Sequence, residues 1–148
     1  MDKVNTLPNL FIVGAAKSGT TSLHNYLNQH PDVFMCTPKE PHFLINNEIG
    51  ENRIPVGICS ENEYLNLFLE GRGEKYRGES SVMYLMFPEI VIPKINQQFG
   101  KDMVFRILNN KNPITNPSEI KVAIAAPTSC QSEISTIFPH RFPKDASH

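Results

Sequence analysis

The chain has no apolar run long enough to cross a bilayer, which takes about 20 consecutive residues. It has no charged-then-apolar leader either, since the first strand-like run begins within about ten residues of the start. A cytoplasmic protein without a membrane span is the resulting expectation. Cysteine is scarce. Cys36, Cys59 and Cys130 are odd in number and far apart, which suggests neither a disulfide framework nor a metal site. Neither sign of charge is in excess: 14 Lys and Arg against 15 Asp and Glu leave −1. That excludes a bulk attraction for nucleic acid or for anionic membranes, so any anionic ligand must be held by local groups. There is no internal repeat. What remains is ordinary for a soluble globular chain, 40% hydrophobic and 20% charged over 148 residues, enough for one domain with a real core.

The most informative stretch is Pro8 to Leu27, PNLFIVGAAKSGTTSLHNYL. Leu10-Phe11-Ile12-Val13 has the composition of a buried strand. The run breaks at Gly14, passes through Ala15-Ala16-Lys17-Ser18-Gly19, and enters Thr20-Thr21-Ser22, after which Leu23, Tyr26 and Leu27 recur at helical spacing. Strand, glycine-bounded loop and helix start together make an oxyanion cradle, because the first turn of a helix has unpaired N–H groups and the positive end of the dipole. Gly14 and Gly19 have the separation of the two glycines of a Walker A loop, but Thr20 stands where that motif has its lysine. The loop's cation, Lys17, lies inside it. An ATP or GTP site is therefore a poor match, although a P-loop kinase or NTPase stays open as an alternative.

The ordered set Gly14, Lys17, Gly19, Thr20, Thr21, Leu23, Leu27, His30-Pro31 and Lys39-Glu40-Pro41-His42-Phe43 resembles the sulfotransferases that use 3′-phosphoadenosine-5′-phosphosulfate (PAPS). The resemblance is to the branch with the heparan sulfate and bacterial glycan enzymes, and it covers the first two-thirds of the chain. It implies an α/β, P-loop-type three-layer fold with a parallel sheet, incomplete in this chain. It also implies PAPS as co-substrate, no metal, and a hydroxyl or amine acceptor, either a small molecule or a glycan. In the implied site, residues Gly14, Ala15, Ala16, Lys17, Ser18, Gly19, Thr20, Thr21 and Ser22 hold the phosphosulfate, with Lys17 neutralising charge on the leaving oxygen. Glu40 is the implied general base, and His42 its runner-up or hydrogen-bond partner. Glu79 to Leu85 resembles a family segment near the acceptor, with Val82 in place of a proline; Glu79 and Tyr84 are core-edge residues in the alternative reading.

The rest of the chain alternates helical and strand signals. A helix is expected from Thr20 to about Asn28, ended by His30-Pro31. Val33–Met35 reads as a strand, Thr37–His42 as a loop, and residues 45–57 as a surface loop. Ser60 with Glu63 forms a capping-box pattern leading into a helix over Tyr64–Leu69. Tyr76–Ser81 reads as a strand. Pro88 opens a helix with Ile90, Val91, Ile95 and Phe99 on its apolar face and Gly100 as its stop. Met103–Leu108 and Ile120–Ala126 read as strands.

Residues 1–108 are expected to form the N-terminal part of the sulfotransferase domain, and 109–148 a divergent tail. In the tail Lys111-Asn112-Pro113 stands in for the family's Arg-[Asp/Asn]-Pro, and Ser118 falls one residue early. Lys111 and Ser118 are the candidates for the 3′-phosphate, but a lysine makes no bidentate fork and Asn116 replaces the second arginine. A catalytically inactive binding module is accordingly the alternative to an enzyme.

Overall fold

A computed structural model describes residues 7–50, 57–99, 103–110 and 120–127, with side chains over 7–50 and 57–99. The elements are β1 (Leu10–Gly14), α1 (Thr20–Leu27), β2 (Val33–Met35), α2 (Phe43–Ile49), α3 (Glu61–Asn66), β3 (Tyr76–Ser80), a 3₁₀ turn (Val82–Met86), α4 (Pro88–Gln98), β4 (Met103–Asn110) and β5 (Ile120–Pro127). The sheet order is β2-β3-β1-β5-β4. The first three strands are parallel, with Leu10 opposite Gly78 and Val33 opposite Tyr76. β5 and β4 complete the sheet as an antiparallel pair. The expected α/β sheet is present, and its parallel part is β2, β3 and β1.

Each residue of β1 is buried, as a strand covered on both faces requires. Phe11 and Val13 join a core of Leu44 and Ile45 from α2, Tyr84 from the 3₁₀ turn, and Val91 and Ile95 from α4. Strand alternation turns Leu10 and Ile12 to the opposite face. α1 packs on the same three strands through its buried Leu23 and Leu27, outside that cluster. A second cluster joins Cys36, Ile58, Tyr64 and Phe68, with the rings of Phe43 and Tyr64 stacked at 4.2 Å between centroids.

Most expected elements are found, with two corrections. Residues 45–57 are not all loop, because α2 runs from Phe43 to Ile49. Its two asparagines and lack of a capping side chain hide it in sequence, and burial of Leu44 and Ile45 supports it instead. The helix after the capping serine is Glu61–Asn66, starting before Tyr64 and ending short of Leu69, and Ser60 Oγ accepts from the Glu63 amide at 3.4 Å. Residues 51–56, Gly100 and 128–148 lie outside the described residues.

Candidate active site

The carboxyl ends of three parallel strands meet at one edge of the sheet, where ligands of open α/β sheets bind. β1 ends in Gly14 and the loop to α1. The Ser81 amide donates to the Ile12 carbonyl at 3.1 Å, tying the end of β3 to β1. From β2 the chain crosses to the same edge: the Cys36 amide donates to Gly78 O at 2.8 Å and the Glu40 amide to Ser80 O at 2.9 Å. His24 of α1 meets the Ser80 hydroxyl at 2.8 Å through Nδ1.

In the 14–22 segment, α1 begins at Thr20 with Gly19 as N-cap in the left-handed region, φ 86°. No side chain caps this start among the described residues. Thr20 and Thr21 are therefore in the first turn and do not cap it, and the opening N–H groups have no side-chain cap among the described residues. A Cβ on Gly19 would meet nothing within 4 Å. Gly14 differs: its Cβ would lie 2.8 Å from Leu85 Cβ and 3.0 Å from the Val82 carbonyl, so this glycine lets the strand end touch the 3₁₀ turn. Ser18 is buried, its hydroxyl bonded to the Ala15 carbonyl, while Ala16, Lys17, Thr21 and Ser22 are exposed. Thr20 is buried and Ala15 half-buried.

The second half of the site is the turn from Lys39 to Leu44. Lys39 Nζ contacts Glu40 Oε1 at 2.7 Å, and His42 Nε2 lies 3.3 Å from Glu40 Oε2. Glu40 is half-buried and His42 buried. Burial lowers the His42 basicity, with the Glu40 carboxylate pulling the other way. The ring is thus neutral near pH 7, and the contact is an Nε2–H donating to a carboxylate. Burial, then the Lys39 charge, brings His24 down to about 4. Lys17, Glu40 and His42 are the non-glycine residues with positive φ among those described, at 57°, 63° and 53°. Such conformations are uncommon outside glycine and gather where a site fixes geometry.

Residues 8–66 match a family model described as the sulfotransferase family. The N-terminal part of this chain is similar to sulfotransferases. It is 35% identical over 69 residues to human carbohydrate sulfotransferase 15, a match covering 45% of this chain and 12% of that protein. It is 31% identical over 86 residues to the membrane-associated sulfotransferase kil1 of Dictyostelium discoideum, covering 58% and 17%. The crystal structure of a sulfotransferase from Alicyclobacillus acidocaldarius superposes with a TM-score of 0.55 at 40% identity, over 62% of this chain and 40% of that one. The chain thus spans a minor part of each relative. Over the matched residues, the turn after β2 brings Glu40 and His42 against the end of β3, at the same edge of the sheet as the Gly14–Ser22 loop on the end of β1. Lys111 and Ser118 lie outside the described residues. Two contributors are given no role in the sequence reading: Lys39 pairs with Glu40, and His24 bonds α1 to Ser80. The position of Lys39 next to Glu40 in the motif was the available signal for the first. Among the described residues no helix is long and apolar enough to cross a membrane.

Proposed function

We propose that this chain carries the phosphosulfate-binding and base-bearing half of a sulfotransferase site, which moves a sulfuryl group from PAPS to a hydroxyl or amine of a carbohydrate acceptor. The carrying observation is the uncapped start of α1 at the end of β1, with a Glu40–His42 pair in the turn held against the end of the adjoining strand β3. An open helix start with a left-handed glycine and free space around it fits a phosphosulfate group. The similarity to a carbohydrate sulfotransferase supports the acceptor class.

PAPS, when bound, supplies an activated sulfuryl group with a phosphate leaving oxygen. The amides of residues 19–22 and the Thr20, Thr21 and Ser22 hydroxyls orient that group. The Lys17 ammonium stabilises the negative charge that grows on the leaving oxygen. Glu40 accepts the acceptor's proton. Lys39 on one Glu40 oxygen and His42 on the other fix the carboxylate plane, and each oxygen keeps lone-pair capacity for the incoming proton. Lys111 and Ser118 are the candidates to hold the 3′-phosphate.

Calorimetric titration of the full chain with 3′,5′-bisphosphoadenosine (PAP) tests this reading. Binding is expected, weakened about 10- to 100-fold by Lys17→Ala, the worth of one charge-assisted contact. Absent binding, or binding and PAPS turnover indifferent to Lys17→Ala, would refute the assignment.

A further inference from the structure

Glu79, on β3, is wholly buried and has its own network of contacts. Its Oε1 accepts from the Tyr64 hydroxyl at 2.7 Å and from the Tyr84 hydroxyl at 2.8 Å, and its Oε2 from the Ser81 hydroxyl at 2.6 Å. Burial raises its pKa while these three donors oppose the rise. A carboxylate in such a place is costly compared with an apolar residue of the same size. Two of the three hydroxyls do a second job. Ser81 Oγ accepts from the His42 amide at 3.1 Å, and the Tyr84 hydroxyl accepts from the Leu44 amide at 3.2 Å. Those amides belong to the start of α2, whose N-cap His42 is left-handed and offers no capping side chain. A hydroxyl whose proton is committed to a carboxylate becomes a better acceptor. One buried carboxylate therefore sets the orientation of the two hydroxyls that accept from the turn's His42 and Leu44 amides.

We propose that Glu79 is a positioning residue, which through the Ser81 and Tyr84 hydroxyls fixes the left-handed turn that carries His42 against Glu40. Its place in the reaction rests on the reading of Glu40 as base; its hold on the turn does not. The family resemblance puts the Glu79–Leu85 segment near the acceptor, but zero exposure of Glu79 excludes its direct contact with an acceptor in this conformation.

The test is amide hydrogen exchange and the His42 ring titration, both followed by NMR on the full chain. Ser81→Ala should speed exchange at the His42 amide about five- to tenfold, one lost hydrogen bond, while the Leu23 amide in α1 holds. The His42 titration should move with it, and Ser81→Thr should restore both. Tyr84→Phe asks the same of the Leu44 amide and His42 ring, should Ser81→Ala not fold. Unchanged exchange in a folded variant overturns the proposal. Faster exchange with an unmoved His42 ring also overturns it, leaving Glu79 a stabilising role alone. PAP titration of the same samples separates the two ideas: a wild type that ignores PAP sinks the sulfotransferase reading, whereas PAP binding with unmoved exchange sinks only this one.

Discussion

The two turns that form the candidate site are built in opposite ways. The 15–19 loop leaves its helix start uncapped and exposes Lys17. The 39–44 turn has the amides of Glu40, His42 and Leu44 bound to Ser80, Ser81 and Tyr84, and the Glu40 side chain clamped on both oxygens. On the proposed reading, a bound phosphosulfate completes the first turn, whereas the second is finished by contacts within the chain. Stability should therefore reside around the second and ligand affinity around the first.

The largest effect expected from this contrast is at Glu79. Glu79→Ala strands three buried hydroxyls and should cost about 3–5 kcal/mol in urea unfolding. Tyr64→Phe, which leaves Tyr84 on the same oxygen, should cost only about 1–2 kcal/mol. Equal losses in the two variants would mean that the carboxylate is no hub.

The glycines give the next test, within the first turn itself. Gly14→Ala drives a Cβ into Leu85 and the Val82 carbonyl and should cost about 2–4 kcal/mol. Gly19→Ala meets open space and suffers only its left-handed backbone, about 1–2 kcal/mol. Thermal unfolding ranks the pair, and a reversed order would contradict the assignment of Gly14 to packing and Gly19 to the open cradle.

A smaller effect is expected from His24, which joins the two turns through Ser80. The unfolded ring takes up its proton near 6.5, the native one only near 4. Between those values the unfolded chain binds more protons, so stability falls as pH drops through that window. The loss is on the order of 1–2 kcal/mol after allowance for solvent screening. Glu79, raised by burial, acts with the opposite sign, so the readout is the difference between wild type and His24→Asn at pH 7 and pH 5. Parallel curves for the two would dismiss the shift.

The sequence made one turn far more legible than the other, for a physical reason. β1, the loop and α1 are written in consecutive residues: an apolar strand, two glycines at a fixed separation and a helical apolar period. The 39–44 turn depends on residues distant in sequence. Glu79, Ser81 and Tyr84 mean little in order along the chain until the parallel pairing of β1 with β3 sets them beneath His42 and Leu44. β3 itself, Tyr-Arg-Gly-Glu-Ser, reads as polar yet is buried throughout, because its polar groups find partners inside. α2 was read as loop for the same reason, since its start is capped by hydroxyls from other elements and not by its own N-cap. The packing role of Gly14 is hidden in sequence because its neighbours, Val82 and Leu85, lie much further along the chain, in the 3₁₀ turn after β3.

The most direct measurement is a PAP titration followed through the backbone amide resonances of the full chain. The account predicts saturable shifts concentrated at Gly19, Thr20, Thr21 and Ser22, with the amides of His42 and Leu44 nearly still. No saturable change at residues 19–22, or the largest changes in the 42–44 turn, would contradict it.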